Sequence, residues 1–390
     1  MRQETPKLLN WASVLEPQAL EQAAIAAEMP FVFPHIALMP DAHLGKGSTV
    51  GSVIPTRGAL MPAAVGVDIG CGMQAAQTAF TREAFLDDLS YLQQIIHDTI
   101  PMGIGSRGEN ATFTSSADER IIRLHDIATF NYLQFCGNWE LQLGTLGGGN
   151  HFIEFAYDEE DRVWITLHSG SRGVGNKTAV HHIKKAQELC QRWWIDLPDT
   201  DLAYFPQGTD EFDAYLRDLN WAQVYARLNR DEMMDRCLAA VAQWVGSDEG
   251  TIEVEERFDC HHNYTTQEHH WGTNLWITRK GAILARLGDV GLIPGSMGTP
   301  SYVVRGLGNA PSFQSAPHGA GRAMGRKAAF RTLDLAAQRE LMTGIVWGDN
   351  EKLLDETPGA YKSIETVMAD ATDLVEIVHT LRPLLNIKGV

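Results

Sequence analysis

The chain has 390 residues, 44% hydrophobic and 21% charged, and a formal net charge of −17. Such acidity excludes indiscriminate nucleic-acid binding through a basic surface, while the apolar share supports a sizeable core in one large domain or a few smaller ones. Five widely spaced cysteines, a polar N-terminus and no apolar run near the roughly 18 residues of a membrane span predict a reduced, cytoplasmic protein.

The 36 glycines cluster at 44–72, 144–149, 170–175 and 291–321, which marks loops built for close approach. Pro17–Met29 is Ala/Glu-rich and predicts a first helix, stopped by Pro30. From Phe31 to Pro55, prolines and glycines break the apolar triplets, so short strands and turns are expected, with Pro40–Gly47 a loop carrying an acid, an imidazole and a lysine. Arg82–Ile100 has helical spacing, 102–116 is a glycine- and serine-rich loop, and Asp118–Leu133 is helical again.

Val65–Met73 carries Asp68 and Cys71 among three glycines, a composition that defeats a helix and suits a tight turn. A carboxylate and a thiol on one turn are candidate ligands of one metal centre. The plainer reading is that Asp68 closes an Asx turn and Cys71 is a small buried hydrophobe.

Leu143–Glu154 predicts a glycine-rich turn that presents Asn150 and His151 and runs into a strand, and Arg162–Leu167 predicts a strand delivering His168. Hydroxyls, glycines and Arg172 follow His168, a setting that suits phosphate oxygens. Asn176–Trp194 and Thr209–Val245 form a helical block of about 176–246, broken near 198–209. Strands and loops return over Thr251–Gly308, where Cys260–Tyr264 supplies a third imidazole beside an amide. Ala320–Leu341 and Lys362–Leu385 predict two further helices.

One aspartate, one thiolate and three imidazoles exceed the needs of a single tetrahedral ion, whereas a thiolate shared by two ions uses all five; ligand softness favours zinc. His318 stands apart. With Arg322 and Arg326 following at four-residue intervals, it predicts a helix N-terminus built for an anion, where a neutral imidazole can attack phosphorus. It could as simply cap that helix. Between Gly272 and Arg331 eight Lys/Arg face one acid, Asp289, a basic island on an acidic chain. With ligands spread from 68 to 318 and no long linker, a single compact α+β domain of central sheets surrounded by helices is expected.

The blocks P-D-A-H-L-G-K-G-S (40–48), V-G-V-D-I-G-C-G-M (65–73), L-G-G-G-N-H-F-I-E (146–154), H-S-G-S-R-G (168–173), H-H-N-Y (261–264), P-G-S-M-G (294–298), H-G-A-G-R (318–322) and D-E-T-P-G-A-Y-K (355–362) resemble, in order, the RtcB family of RNA-splicing ligases. The stretch around 102–117 is shorter than in that pattern. The resemblance implies two Mn(II) ions bridged by Cys71, with Asp68 and His151 on one and His168 and His262 on the other. It implies GTP as cosubstrate and His318 as the residue guanylylated. Asn150, His151, Phe152, Ile153, Glu154, His262, Asn263, Pro294, Gly295, Ser296, Met297, Ser301, His318, Gly319, Ala320, Gly321 and Lys388 would surround the guanylate. Its partners would be RNAs with a 2′,3′-cyclic phosphate or 3′-phosphate end and a 5′-hydroxyl end, with room for an accessory activator protein. Arg172, Lys280, Arg322 and Arg326 are candidates for the anionic RNA ends. A binuclear metal-dependent phosphoesterase without nucleotide activation, or a non-catalytic RNA-end binder with a structural metal, would share the ligands but give His318 no covalent part.

Overall fold

The computed structural model describes residues 1–86, 88–102, 115–129 and 136–389. Two sheets face one another. The six-stranded sheet runs in the order Arg2–Thr5, Leu8–Asn10, Ile36–His43, Val50–Thr56, Thr273–Lys280, Asn263–His270. The larger sheet, of eight strands, runs Val254–His261, Gly72–Thr81, Arg162–Ser169, Phe152–Tyr157, Val375–Lys388, Ser301–Gly306, Val290–Ile293, with Val346–Trp347 lying parallel to Val375–Lys388.

The two-residue period of each strand sorts side chains between layers. Ala37, Met39, Val53 and Ile277 of the smaller sheet meet Met73, Ala75, Ala156 and Trp164 of the larger one in the core between them. The alternate positions Ile36, Leu38 and Ile54 turn outward to the alanine face of the helix Pro17–Ala27. On the far side of the larger sheet, Ile153, Phe155, Ile165 and Leu167 pack on Met233, Met234 and Val241 of the helix Asp210–Trp244. Four layers result: helix, sheet, sheet, helix. The chain is α+β, as its composition pattern predicts.

Asp210–Trp244 is 35 residues long, with Thr209 accepting from the Phe212 amide at 3.2 Å and three acids in its first turn, a capped and dipole-matched start. It packs against the helix Arg172–Arg192, so the helical block lies close to the predicted bounds.

Several expected elements differ. Pro40–His43 belong to the strand Ile36–His43 rather than to a loop, because their neighbours Ala37, Leu38 and Ala42 are all buried between layers. Arg82–Ile100 divides into a 3-10 turn at Arg82–Phe85 and a helix at Ser90–Thr99. The helix near 118 spans Ser115–Asp126. Positions 103–114 of the glycine-serine stretch, and 130–133 of that helical expectation, lie outside the described residues. Ala320–Leu341 gives two short helices, Arg326–Thr332 and Leu335–Leu341, and His318 to Gly325 is not helical. The predicted closing helix is mainly strand: helix covers only Ile364–Asp370, and Val375–Lys388 crosses the sheet. Val375, Ile377, Val378, Thr380 and Ile387 favour the pleated surface, and Pro383, at a bulge against Ala156, would break a helix.

Candidate active site

The turn after the helix Pro62–Val65 runs through Gly66 and Gly70 at positive φ, and Asp68 and Cys71 project from it. A Cβ on Gly70 would lie 2.8 Å from Ala226 Cβ, so only glycine lets the turn lie against the long helix. The turn is tied to His262 and Asn263 by main-chain bonds: Gly70 N donates to Asn263 O at 2.7 Å and His262 N to Cys71 O at 2.9 Å. Arg230, fully buried, donates to Gly70 O at 2.8 Å and Ser169 O at 2.9 Å, and its other edge pairs with Asp259 at 2.6 Å. One guanidinium thereby joins the Asp68–Cys71 turn to the strand that carries His168.

The three imidazoles converge through Nε2. His151 Nε2 is 2.9 Å from Asp68 Oδ2 and 3.5 Å from Cys71 Sγ, while His168 Nε2 is 3.1 Å from the same sulfur and 2.9 Å from His262 Nε2. Their Nδ1 atoms face acceptors: Leu146 O for His151 (2.9 Å), Asn150 O for His168 (3.2 Å) and Asn263 Oδ1 for His262 (3.2 Å). Asn263 Oδ1 also accepts from Gly281 N at 2.9 Å, which fixes it as the oxygen. His168 and His262 therefore carry a proton on Nδ1 and a lone pair on Nε2, the tautomer that metal-binding histidines adopt, while His151 Nδ1 also meets the donor Arg172 Nη1 at 3.2 Å. Two neutral nitrogens 2.9 Å apart, both with lone pairs inward, repel one another unless a cation lies between them.

Electrostatics agree with that donor set. Burial, then the neighbouring histidines, pushes His168 and His262 well below the ordinary imidazole range, so both stay neutral. Burial opposes ionisation of Asp68, yet its hydrogen bond to His151 and the charges of His151 and Arg172 hold it at about 2. Burial and the Asp68 carboxylate raise the Cys71 thiol well above its ordinary value, so a thiolate there requires a cation. Two groups of donors, Asp68/Cys71/His151 and Cys71/His168/His262, each close within 4.8 Å and share the sulfur. The residues fit a pair of metal ions.

His318 stands beside this cluster, its ring centroid 4.7 Å from that of His262. Its Nδ1 is 2.5 Å from Asp41 Oδ2, which also accepts the His318 amide at 3.1 Å. Asp41 is fully buried, so a carboxylate orients the imidazole and Nε2 is the ring nitrogen left free of it. Both rings line a cavity of about 270 Å3. Strand alternation sends Phe152, Glu154 and His168 into the space between the sheets, where the cavity opens. Asn150, Asn263, the Pro294–Met297 turn, Ser301, Gly319–Gly321 and Lys388 also line it. His151 and Ile153 are the exceptions: His151 turns to Asp68 and Cys71, and Ile153 points to the helical layer.

Glu154 is the buried acid of the cavity wall: Oε2 accepts from Asn386 at 2.8 Å, Oε1 from Ser301 at 3.3 Å, and burial raises it to about 7. The cavity wall also carries a charged network. Glu356 accepts from Lys388 at 3.0 Å and Tyr361 at 2.5 Å, while Arg322 donates to Glu356 at 3.2 Å and to Asp355 O at 2.7 Å. Arg326 reaches Asp355 at 3.4 Å. Arg322 and Arg326 are thus drawn to these acids from a loop and a helix start, and do not share the expected helix face. The basic island is likewise partly internal, since Arg279 is fully buried against Glu268. Arg172 opens its helix beside the metal ligands, donating to Thr145 Oγ1 at 3.2 Å, and Lys280 lines the cavity while bonded to Lys46 O.

Asp41, Arg230, Glu356 and Tyr361 are functional positions that the sequence reading assigned no role. Asp41, Glu356 and Tyr361 lie inside recognisable blocks, which was the available signal. Arg230, one of many helical arginines, offered none.

The fold and donor set define a class: α+β proteins in which two buried donor groups share one cysteine, with an oriented histidine beside them, between facing sheets. The family model described as "tRNA-splicing ligase RtcB" matches residues 22–131 and 129–389. The chain is 46% identical over 388 residues to the RNA-splicing ligase RtcB of Escherichia coli K12, covering 96% of this chain and 95% of that protein. It is 30% identical over 440 residues to the tRNA-splicing ligase RtcB of Pyrobaculum aerophilum, covering 95% and 91%. The chain belongs to the RtcB family.

Proposed function

We propose that this RNA ligase joins RNA 2′,3′-cyclic phosphate or 3′-phosphate ends to 5′-hydroxyl ends, using GTP and two Mn(II) ions through a guanylate carried on His318. The observation that carries the reading is the Asp41–His318 pair at 2.5 Å on the rim of the metal-ligand cluster. Asp41 holds the Nδ1 proton, so Nε2 is the nucleophilic atom, and the carboxylate stabilises the ring as it gains positive charge. Asp68, Cys71 and His151 would hold one ion and Cys71, His168 and His262 the other; when bound, the ions supply Lewis-acid stabilisation of phosphate charge.

A cyclic phosphate end is first opened by water to a 3′-phosphate. His318 Nε2 then forms a bond to the α-phosphorus of GTP as the bond to the β-phosphate oxygen breaks and pyrophosphate departs. The RNA 3′-phosphate displaces the imidazole, leaving an activated 3′ end. Attack by the 5′-hydroxyl on that phosphorus forms the new linkage and releases GMP. Arg172 and Lys280 supply charge for the RNA phosphates. Guanine presents adjacent N1–H and N2–H donors, and the buried Glu154 carboxylate, held by Asn386 and Ser301, accepts both where adenine would offer no such pair. A cytoplasmic location belongs to the same proposal, in keeping with five free, buried cysteines.

Incubation with α-labelled GTP and Mn(II) tests this: label is expected on the wild type and absent from His318→Ala. Phosphoester hydrolysis without label would replace the ligase reading by a metal phosphoesterase.

A further inference from the structure

The block D-E-T-P-G-A-Y-K (355–362) is only partly accounted for by the site: Glu356 and Tyr361 line the cavity, whereas its last residue, Lys362, does not. Lys362 instead touches both segments that form the Asp41–His318 pair. Its main-chain N–H donates to Gly321 O at 3.0 Å, in the loop that carries His318. Its ammonium donates to Ala42 O at 2.5 Å, next to Asp41, and to Val14 O at 2.7 Å.

Each contact restrains one partner. The His318–Gly321 loop lies directly against the strand Ile36–His43: Gly321 has a φ of +71°, and a Cβ there would lie 2.4 Å from Asp41 O. The chain at 360–362 runs beside that loop, with Ala323 N donating to Ala360 O at 2.9 Å and Arg322 bridged to Tyr361. On the strand side, an ammonium fixed to the Ala42 carbonyl limits how far Asp41 can shift. Behind Lys362, Ser363 accepts from the Thr366 amide at 3.2 Å and caps the helix Ile364–Asp370. Ile364, Val367 and Met368 of that helix are buried in one core with Ala37 and Met39 of the Asp41 strand. Lys362 therefore stands on a packed base.

Charge acts with the bonds. Asp41 is fully buried; both of its contacts with His318 fall on Oδ2, and Oδ1 has no hydrogen-bond partner among the described residues. A carboxylate buried with one oxygen unpaired is costly unless a cation lies near. The Lys362 ammonium is attracted by Asp41, and also by Glu16 and Asp370, against the effect of its own burial.

We infer that Lys362 is a positioning residue for guanylylation of His318: its ammonium holds the Asp41 strand and its main chain the His318 loop, so that Oδ2 stays on Nδ1 while Nε2 meets phosphorus. This inference rests on the ligase reading above and adds a residue to it.

Lys362→Met tests it, because it keeps the main-chain bond and the side-chain length but removes the donor and the charge. Guanylylation of His318 by labelled GTP, followed in single turnovers at saturating nucleotide, is expected to slow about a hundredfold, the cost of a small misplacement in an oriented pair. The GTP concentration giving half the maximal rate should not change. Sealing of an RNA whose 3′ end already carries guanylate does not use His318 as a nucleophile and should run at the wild-type rate. Lys362→Arg, whose guanidinium can donate to both carbonyls, should recover most of the guanylylation rate. In an Asp41→Asn background Lys362→Met should add nothing further, because the two residues act as one unit. Wild-type guanylylation in Lys362→Met overturns the inference. So does equal slowing of guanylylation and sealing, which would make Lys362 a support of the whole site, and so does additivity with Asp41→Asn.

One readout needs no GTP. With Zn(II) in place of Mn(II) and isotope-labelled histidine, the Nδ1 proton held by Asp41 should give a downfield NMR resonance, assigned by its loss in His318→Ala. It should be lost to exchange in Lys362→Met and return in Lys362→Arg; an unchanged resonance also overturns the inference. Failure of the wild type to take label from GTP would instead remove the ligase mechanism, while this resonance would still report whether Lys362 holds the pair.

Discussion

Asp41 acts on His318 through one short contact, and its removal has a definable consequence. Asp41→Asn keeps the size of the side chain but can present an amide donor to Nδ1, favouring the wrong tautomer and removing the charge that steadies the imidazolium. His318 guanylylation is expected to slow by about 10²–10⁴-fold, the range in which oriented acid–base partners contribute. Single-turnover labelling with GTP measures it, and unchanged metal content excludes collapse of the neighbouring cluster. Glu154→Gln makes a different prediction: replacing one acceptor oxygen by a donor should remove most of the preference for GTP over ATP, read as a ratio of labelling rates. These two residues also mark how much of the site was legible. Glu154 was placed only through the resemblance carried by its block, L-G-G-G-N-H-F-I-E (146–154), and strand alternation explains why it reaches the cavity. Asp41 could not be read as the partner of His318 because 277 positions separate them, and only the packing of the strand Ile36–His43 against the loop before Gly319 brings them together.

The elements divide in the same way. Strands Phe152–Tyr157 and Arg162–Ser169 were legible because their alternation and glycine-rich approach are local signals. The strand Val375–Lys388 was not, since an acidic and alanine-containing lead-in at 365–373 resembles a helix and the sheet that claims the rest is distant in sequence. The helix expected after His318 failed for a related reason: Asp355 and Glu356, distant in sequence, each pair with both Arg322 and Arg326, and 318–325 stays a loop. Arg230 shows what such nonlocal contacts hold. Arg230→Ala leaves the Asp259 carboxylate buried without its partner, and a loss of about 3–5 kcal/mol is expected in denaturant unfolding. Arg230→Met with Asp259→Leu removes both charges and should recover much of that stability. It should still bind metal more weakly, because Gly70 O and Ser169 O have lost the donor that joins the two ligand-bearing segments. Recovery of metal affinity along with stability would make Arg230 a packing residue only.

At the scale of the molecule, the buried titratable groups set opposing dependences of stability on pH. In metal-free protein His168 and His262 remain neutral when folded but take up protons when unfolded, so each destabilises the fold as pH falls below about 6.5. His43 and His261, both brought down to about 4 by burial, act in the same direction. Glu154 opposes them. Its folded value of about 7 lies above its ordinary 4.5, so between those two the folded state binds the extra proton, and stability from this site rises as pH falls. The gain is about 1.4 kcal/mol per pH unit, and about 3 kcal/mol over the whole interval. Glutamine at 154 cannot take up that proton. Measured with a chelator present, the stability of Glu154→Gln relative to wild type should therefore decline steadily from pH 7 to pH 5, with both proteins losing stability through their histidines. Added Mn(II) should stabilise both at pH 7, by about 2.7 kcal/mol for each site filled at a hundredfold excess over its Kd. That increment should shrink towards pH 5, since the Cys71 sulfur, raised well above its ordinary value, must give up its proton to bind an ion. Parallel stability curves for the two proteins would show that Glu154 is ionised throughout. The buried acid would then be a fixed negative charge facing the nucleotide rather than a group that titrates near neutrality.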